Sequence, residues 1–283
     1  MKFWVNDGLV KAEQASVSVL DHGFTVADGV FETLAVRDGV PFALSRHLRR
    51  LATSAVGLGL QAPDADLVRR AALAVCRENA PEIGPTGRLR ITYTSGPAPL
   101  GSERGHDGNS LVVAASASGV WPDTATVAVV RWPRNELSPL VGLKTTSYAE
   151  NVVALAAAKK LGGSEALMAN TVGELCEGTG SNVFVVVDDR LLTPPLSSGC
   201  LAGITRELLL EWCAEEMDVA EESLALDVLK VASEVLITSS TRDVQPVSRI
   251  VGEGFDRTFR APGPITMRAA ELFSEMAAES FDP

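Results

Sequence analysis

The chain has 283 residues, of which 46% are hydrophobic and 22% are charged, as is ordinary for a globular protein that can bury a sizeable core. Its 25 basic and 36 acidic side chains give a formal net charge of −11, which argues against a general nucleic-acid or anionic-membrane binder. Four cysteines without metal or disulfide spacing, three scattered histidines and no long apolar run predict a cytoplasmic protein without a metal site or a membrane span.

The first half of the sequence alternates strands with helices. The expected elements in chain order are a hairpin over 2–20, strands over 30–36 and 40–44, helices over 44–60 and 64–80, a strand over 87–94, a loop over 96–110 and a strand over 111–117. Ser45 is the expected N-cap of the first helix. Alternation along the strand over 87–94 puts Arg88 and Arg90 on one face. The loop is long for a connection, and such loops are often functional.

Basic side chains crowd the first turns of the helix expected over 44–60: Arg46, His47, Arg49 and Arg50. The helix dipole disfavours cations at this end. One interpretation is a solvated basic face. The sharper interpretation is that one of the arginines turns inward to bind an anion.

Residues 118–123 contain Gly119 and Pro122 and form the expected domain boundary, which gives domains over 1–117 and 124–283. The elements expected after it are a strand over 127–130, a helix over 148–161 capped by Ser147, strands over 165–170, 183–187 and 191–193, a helix over 205–216, a strand over 235–238 and a helix over 265–278.

Glu177 precedes Gly-Thr-Gly-Ser-Asn and the apolar strand expected over 183–187. A carboxylate held beside a buried strand must be paired, because burying an unpaired charge is costly. The stretch therefore suggests a carboxylate directed at a cationic group of a ligand, beside a loop that lines that ligand. The alternative is a surface glutamate in a turn before a core strand.

Two further stretches have the chemistry of anion sites. Gly203-Ile204-Thr205 stands at the start of a helix, where free backbone N–H groups and the dipole favour an anion. Three hydroxyl residues, 239–241, follow the strand expected over 235–238 and can bind a phosphate. For both stretches the alternative is local capping of the backbone.

The order of these features resembles a known family. The motifs are HLRRL with Arg50, GLKT with Lys144, CEGTGSNVF with Glu177, LAGITR with Thr205, and the hydroxyl run 239–241. Together they resemble the fold-type IV, pyridoxal-phosphate-dependent (class IV) aminotransferases, over nearly the whole chain. The resemblance implies a small N-terminal α/β domain, a larger C-terminal domain with a barrel-like sheet, and a homodimer with the cofactor between the domains.

The resemblance also implies roles for single residues. Lys144 would form the Schiff base with pyridoxal 5′-phosphate, Glu177 would face the pyridine nitrogen, and Leu201 would pack on the ring. The residues implied to bind the phosphate are Arg50, Ile204, Thr205, Ser240 and Thr241. An arginine fork, a helix N-terminus and hydroxyl groups suit a dianionic phosphate.

The substrate pocket departs from the family pattern. Phe31 stands where well-known D-amino-acid aminotransferases carry a tyrosine, and residues 96–100, Gly-Pro-Ala-Pro-Leu, replace their Arg-x-His carboxylate trap. Arg88 and Arg90 are the candidates to bind the carboxylate instead, because a guanidinium can bind it with two hydrogen bonds. Arg88 is favoured, since it lies where the D-enzymes place a pocket-facing residue. Further candidates lie in the expected loop: Arg104 and His106.

The expected activity is transfer of an amino group between a D-amino acid, with (R)-amines as a further option, and a 2-oxo acid. The alternatives are an aminodeoxychorismate lyase that releases pyruvate through Lys144, a branched-chain L-amino-acid aminotransferase, and a non-catalytic pyridoxal-phosphate-binding module. Intact Lys144 and Glu177 argue against the last. The expected partners are small-molecule donors and acceptors and a second copy of the chain, with no nucleic acid or membrane.

Overall fold

The computed structural model describes residues 1–106 and 108–283; Asp107, within the loop expected over 96–110, lies outside the described residues. Contacts divide the chain into two units. Unit 1 comprises Met1–Val120, Leu143–Ser147 and Ser280–Pro283, and unit 2 comprises Trp121–Gly142 and Tyr148–Glu279. The domain limits 1–117, 118–123 and 124–283 stay a prediction, and the units differ from them by assigning two later segments to unit 1.

The described residues of unit 1 form β1 (Lys2–Val5), β2 (Gly8–Lys11), α1 (His22–Thr25), β3 (Gly29–Arg37), β4 (Val40–Pro41), α2 (Leu44–Gly57), α3 (Ala65–Glu78), α4 (Ala80–Ile83), β5 (Thr86–Thr94) and β6 (Ser110–Ala117). These six strands make one antiparallel sheet in the order β2-β1-β6-β5-β3-β4. Helices α2 and α3 cover one sheet face, where Leu51, Leu89 and Ile91 are fully buried. Arg88 and Arg90 of β5 lie on the opposite, exposed face, as the alternation of this strand predicts.

The start of α2 corrects the expected N-cap. The helix begins at Leu44 after Ala43, which has a left-handed φ of 53° and makes no side-chain cap hydrogen bond. Ser45 is inside the helix, and its N–H donates to Asp282 Oδ1 at 2.6 Å. Phe281 accepts the Ala43 N–H in the same segment. The carboxylate that caps α2 therefore comes from residues 280–283, which no local sequence pattern could indicate.

The elements of unit 2 are β7 (Ala125–Val129), α5 (Ala149–Lys160), β8 (Glu165–Ala169), β9 (Leu175–Gly178), β10 (Asn182–Val187), β11 (Arg190–Thr193), α6 (Ile204–Cys213), β12 (Val219–Glu221), β13 (Glu234–Ser239), β14 (Asp243–Gly252), β15 (Phe255–Thr258) and α7 (Pro264–Glu279). Its nine strands form a mixed sheet in the order β12-β11-β10-β13-β14-β7-β8-β9, with β15 paired to β14. Helix and sheet in both units confirm the α/β class.

Four strands of unit 2, β9, β12, β14 and β15, are absent from the elements expected from the sequence, and two of them bear on the site and the sheet. Strand β9 contains Glu177, which pairs in register with Met168 of β8, so this residue belongs to a strand and not to a loop. Strand β14 contains Gln245, Pro246 and Arg249, which weaken the apolar signal, yet it joins β13 to β7. Within the described part of the chain, no helix has the length and hydropathy to cross a membrane.

Candidate active site

Lys144 belongs to unit 1 and its backbone is fixed on two sides. Its N–H donates to Ser54 Oγ of α2 at 3.1 Å, and its carbonyl accepts from the Phe31 N–H of β3 at 2.9 Å. The following residue, Thr145, forms a bridge with Val30. A helix and a strand therefore hold this lysine in place, which is the rigid support that a reactive side chain requires.

The ring of Phe31 contacts two cationic side chains. Lys144 Nζ lies 4.5 Å from the ring centroid, and the guanidinium carbon of Arg90 lies 3.6 Å from it. The two cationic groups are therefore no more than about 8 Å apart, the total of these two distances. Cation–π contacts of this kind stabilise by about 0.5–2 kcal/mol, depending on desolvation. Phe31 thus brings Arg90 and Lys144 to one place.

Arg50 is held by a buried carboxylate of β3. Its Nε donates to Glu32 Oε1 and its Nη2 donates to Glu32 Oε2, each at 2.7 Å. His47 Nδ1 lies 2.6 Å from Glu32 Oε2. Glu32 is 0% exposed and His47 is 1% exposed. The bidentate contact fixes both the position and the plane of the Arg50 guanidinium.

The charges in this cluster follow from its contacts. Burial alone would raise the pKa of Glu32, but the charge of Arg50 and the hydrogen bonds from Arg50 and His47 hold this pKa well below its usual range. Burial lowers the pKa of His47, and the nearby Glu32 offsets this only in part. His47 is therefore neutral near pH 7 and donates its Nδ1–H to the carboxylate.

In unit 2, Glu177 is 9% exposed and both of its oxygens have a partner. Oε2 accepts the N–H of Leu201 at 2.9 Å. Oε1 lies 3.1 Å from Arg134 Nε, an ion pair without the alignment of a hydrogen bond. The expectation that this buried carboxylate is paired is confirmed, although the protein partner, Arg134, did not follow from the sequence.

Asn182, the first residue of β10, contacts the segment that leads into α6. Its Nδ2 donates to the carbonyl of Leu201 at 2.8 Å. A Cβ on Gly203 would lie 1.9 Å from Asn182 Oδ1, so a larger residue here would displace the Asn182 side chain. Gly203 is the N-cap of α6 and supplies no side chain to the free N–H groups of Ile204 and Thr205. This end of α6 therefore keeps the character of an anion site.

The hydroxyl run lies at the same end of the sheet, because Asn182 pairs in register with Thr238, the residue before this run. Ser240 and Thr241 form the turn between β13 and β14. Arg242, the next residue of this turn, packs on Trp121, with its guanidinium carbon 3.7 Å from the ring centroid. The hydroxyl turn and the start of α6 are thus neighbours within unit 2.

Each unit brings part of the expected site together. Unit 1 contains Lys144, Arg50, Phe31 and Arg90, and unit 2 contains the remaining expected cofactor residues. Arg104 is tied by two 2.7 Å contacts to Asp28 and donates to the Leu58 and Gly59 carbonyls. The sequence missed three partners of site residues: Glu32, Arg134 and Asn182. Of these three, only Glu32 could have been identified from the sequence, because a carboxylate within an apolar strand lies in the core and needs a partner.

The donor set fits pyridoxal phosphate. Gly203 leaves room at an uncapped helix start beside a hydroxyl turn, which suits a phosphate. Glu177 is a carboxyl group linked through Leu201 to that same loop, which suits a pyridinium nitrogen. Lys144 supplies an amine on a rigid support. The individual roles of these residues stay predictions.

Comparison with known proteins agrees with this chemistry. The family model described as amino-transferase class IV matches residues 29–250. A provisionally named branched-chain-amino-acid aminotransferase of Methanocaldococcus jannaschii is 32% identical, covering 98% of this chain and 96% of that protein. D-alanine aminotransferase of Bacillus licheniformis is 30% identical, covering 94% and 93%. The branched-chain aminotransferase of Thermoproteus uzoniensis, solved with norvaline, superimposes with a TM-score of 0.89 at 29% identity, covering 99% and 95%.

These similarities extend over almost the whole chain, so they concern the complete fold and not one motif. They confirm the two-domain fold expected from the resemblance. The family depends on pyridoxal phosphate, which confirms the expected cofactor. The relatives carry names of different substrate classes, so the comparison identifies the chemistry and leaves the substrate open. The chain belongs to the class IV aminotransferase family.

Proposed function

We propose that the protein transfers an amino group between a D-amino acid and a 2-oxo acid, with (R)-amines as further donors, and that Lys144 binds the cofactor covalently. The observation that carries this proposal is the contact of both Lys144 and Arg90 with the Phe31 ring. An amino acid that reacts at Lys144 would therefore have the guanidinium of Arg90 close enough to bind its carboxylate. Bound pyridoxal phosphate supplies the electron sink for the reaction.

Lys144 must lose its proton before its Nζ can act as a nucleophile. The guanidinium of Arg90 lies no more than about 8 Å from this amine. Phe31 adds apolar surface that excludes water from one side of the amine. We therefore assign Phe31 and Arg90 to the surroundings of the reacting nitrogen.

Arg50, the start of α6 and the hydroxyls of Ser240 and Thr241 bind the phosphate in this proposal. Glu32 supports Arg50 by holding its guanidinium in one plane. Glu177 accepts a hydrogen bond from the protonated pyridine nitrogen and keeps the proton there. Leu201, whose N–H donates to Glu177, packs on the ring.

The substrate carboxylate binds to Arg90 in this proposal. Arg88 was the favoured candidate from the sequence, and its role stays a prediction. The contact of Arg90 with Phe31, and of Phe31 with Lys144, favours Arg90. Arg88 pairs with Ala35 of β3, further along the strand than Phe31. Arg104 is less suited, because Asp28 already binds its guanidinium at two positions.

Branched-chain L-amino-acid transfer is the second candidate, supported by the names of the relatives in M. jannaschii and T. uzoniensis. Reconstituted protein is mixed separately with D-alanine, D-glutamate, L-leucine and L-valine, and the absorbance of the bound cofactor is followed. We expect conversion by the D-amino acids. Conversion by the L-amino acids alone would favour the second candidate, and pyruvate release from aminodeoxychorismate would identify a lyase. If no donor changes the absorbance of the bound cofactor, the remaining candidate is a non-catalytic pyridoxal-phosphate-binding module.

Arg90→Met and Arg88→Met form a matched pair, because both side chains are exposed on the same face of β5. A charge-assisted contact contributes roughly 1.5–3 kcal/mol, or about one to two powers of ten in binding. Arg90→Met should raise the KM for D-amino acids by that factor and leave (R)-amines, which lack a carboxylate, nearly unchanged. A selective effect of Arg88→Met instead would assign the carboxylate to Arg88.

We also propose a cytoplasmic homodimer. Large apolar side chains are exposed close together in sequence: Val17, Val19, Leu20, Phe24 and Val26. Phe24 is 74% exposed and Val19 is 75% exposed, which is unfavourable for an isolated protein and suits contact with a second copy. All four cysteines are free thiols, as expected in a reducing compartment.

A further inference from the structure

The residue that pairs with Glu177 has no role in the function proposed so far. Arg134 lies in the irregular segment between β7 and α5, and its Nε is 3.1 Å from Glu177 Oε1. The side chains of Arg134 and Glu177 are only 18% and 12% exposed. A pair this buried is weakly screened by solvent, so its charges act strongly on each other and on any group beside them.

Arg134 is held at both ends. Its backbone N–H donates to the carbonyl of Ala169 at 2.7 Å. Its Nη1 donates to Asn151 Oδ1 at 3.1 Å, and Asn151 Nδ2 donates to the carbonyl of Thr179 at 2.6 Å. Thr179 belongs to the loop that follows Glu177. The guanidinium is thus tied to the same loop as the carboxylate that it pairs with, and the pair has one fixed geometry.

Two other ionisable groups lie beside Glu177, the thiols of Cys176 and Cys200. Burial raises the pKa of each thiol, and the negative charge of Glu177 raises both further. Both thiols are therefore uncharged at neutral pH. Arg134, by contrast, is a cation in direct contact with Glu177.

We propose that Arg134 is a positioning residue that holds Glu177 for the pyridine nitrogen and limits how strongly this carboxylate retains a proton there. This inference rests on the proposed role of Glu177. A carboxylate that already has a guanidinium partner on one oxygen attracts a second cation less than an unpaired carboxylate does. Arg134, Glu177 and the pyridinium then form a row of alternating charges, with the nitrogen proton less tightly bound than Glu177 alone would make it.

The test is a pH titration of the absorbance of the bound cofactor in reconstituted protein. Removal of a positive charge favours protonated forms, so Arg134→Gln should raise the apparent pKa of the cofactor transition by about one unit. Arg134→Lys keeps the charge and should recover at least half of this shift. Arg257→Gln is the matched control, because Arg257 also lies in unit 2 and donates to a backbone carbonyl, that of Leu229. It should titrate like the unaltered protein.

Wild-type titration of Arg134→Gln would overturn the inference. If that variant does not fold, Arg134→Met removes the same charge and carries the same expectation. Glu177→Gln separates the two proposals, because it should lower the same apparent pKa by removing a negative charge. A downward shift in Glu177→Gln with no shift in Arg134→Gln would remove only the role of Arg134. No change in either variant would remove the proposed role of Glu177 itself.

Discussion

Glu32→Gln tests the support of Arg50 by the buried carboxylate. Glu32 is 0% exposed and accepts from His47 Nδ1 at 2.6 Å and from two nitrogens of Arg50 at 2.7 Å. Glutamine has one acceptor oxygen, and its NH₂ group would face a donor on the other side. At least one donor of His47 or Arg50 then loses its acceptor, and the buried guanidinium loses its counter-charge.

The expected cost follows from this geometry. Breaking a buried ion pair by removing one partner costs about 3–5 kcal/mol. At about 2–4 °C per kcal/mol for a chain of this size, the unfolding midpoint should fall by roughly 10 °C. Since the pKa of Glu32 is held low in the folded protein, its contribution is complete above the unfolded value of 4.5 and is lost as the pH falls below it. As the pH is lowered from 4.5 to 3, the free energy of unfolding should therefore fall less in Glu32→Gln than in the unaltered protein.

The assay is thermal unfolding of the cofactor-free protein, with pyridoxal-phosphate affinity measured in parallel. Asp28→Asn is the matched control, because Asp28 also binds an arginine, Arg104, at two positions in unit 1. Arg104 is 38% exposed, so screening should keep this change to about 1 kcal/mol or less. Glu32→Gln should also weaken pyridoxal-phosphate binding and leave pyridoxal, which lacks the phosphate, nearly unaffected. An unfolding midpoint and cofactor affinity equal to those of the Asp28→Asn variant would refute the reasoning.

Three further outcomes are expected. Glu177→Gln should retain the cofactor and lose two to three powers of ten in turnover, since electrostatic groups of this kind contribute about 2.7–4 kcal/mol; near-normal turnover would show that Glu177 is not the ring partner. Native protein at pH 8 should resist iodoacetamide, because burial raises the pKa of Cys76 and of Cys213 to about 11; rapid labelling before unfolding would contradict this. Phe24→Asp should convert a dimer to monomer in light scattering, and a monomeric unaltered protein would exclude the homodimer.

The periodic elements could be predicted from the sequence because their signal is local. Helix α3 begins after Asp64, whose side chain accepts from Asp66 and Leu67 as an N-cap should. Strand β5 alternates as expected, which placed Arg88 and Arg90 on one face. The N-cap of α2 could not be predicted, because its acceptor, Asp282, comes from a segment distant in sequence.

The residues of the site likewise divide into those with a local sequence signal and those whose contacts depend on the fold. Glu177 could be singled out because a carboxylate beside an apolar run needs a partner, yet the partner depends on which loop folds against it. Arg134 lies in a segment without periodicity, and its contact with Glu177 is set by the pairing of β8 and β9. Arg90 and Arg88 are equivalent in the strand pattern. Only the register of β5 against β3 distinguishes them, by placing Arg90 within reach of the Phe31 ring.

Covalent attachment of the cofactor at Lys144 is the claim on which the proposed function depends. Protein loaded with pyridoxal phosphate is reduced with borohydride, digested and mapped by mass spectrometry. The expected result is one label on Lys144, whose backbone is fixed by Ser54 and Phe31. Lys144→Ala should abolish the label with the fold intact, because the side chain is not part of the buried core. A label on Lys159 or Lys160, at the end of α5, would contradict the proposed function.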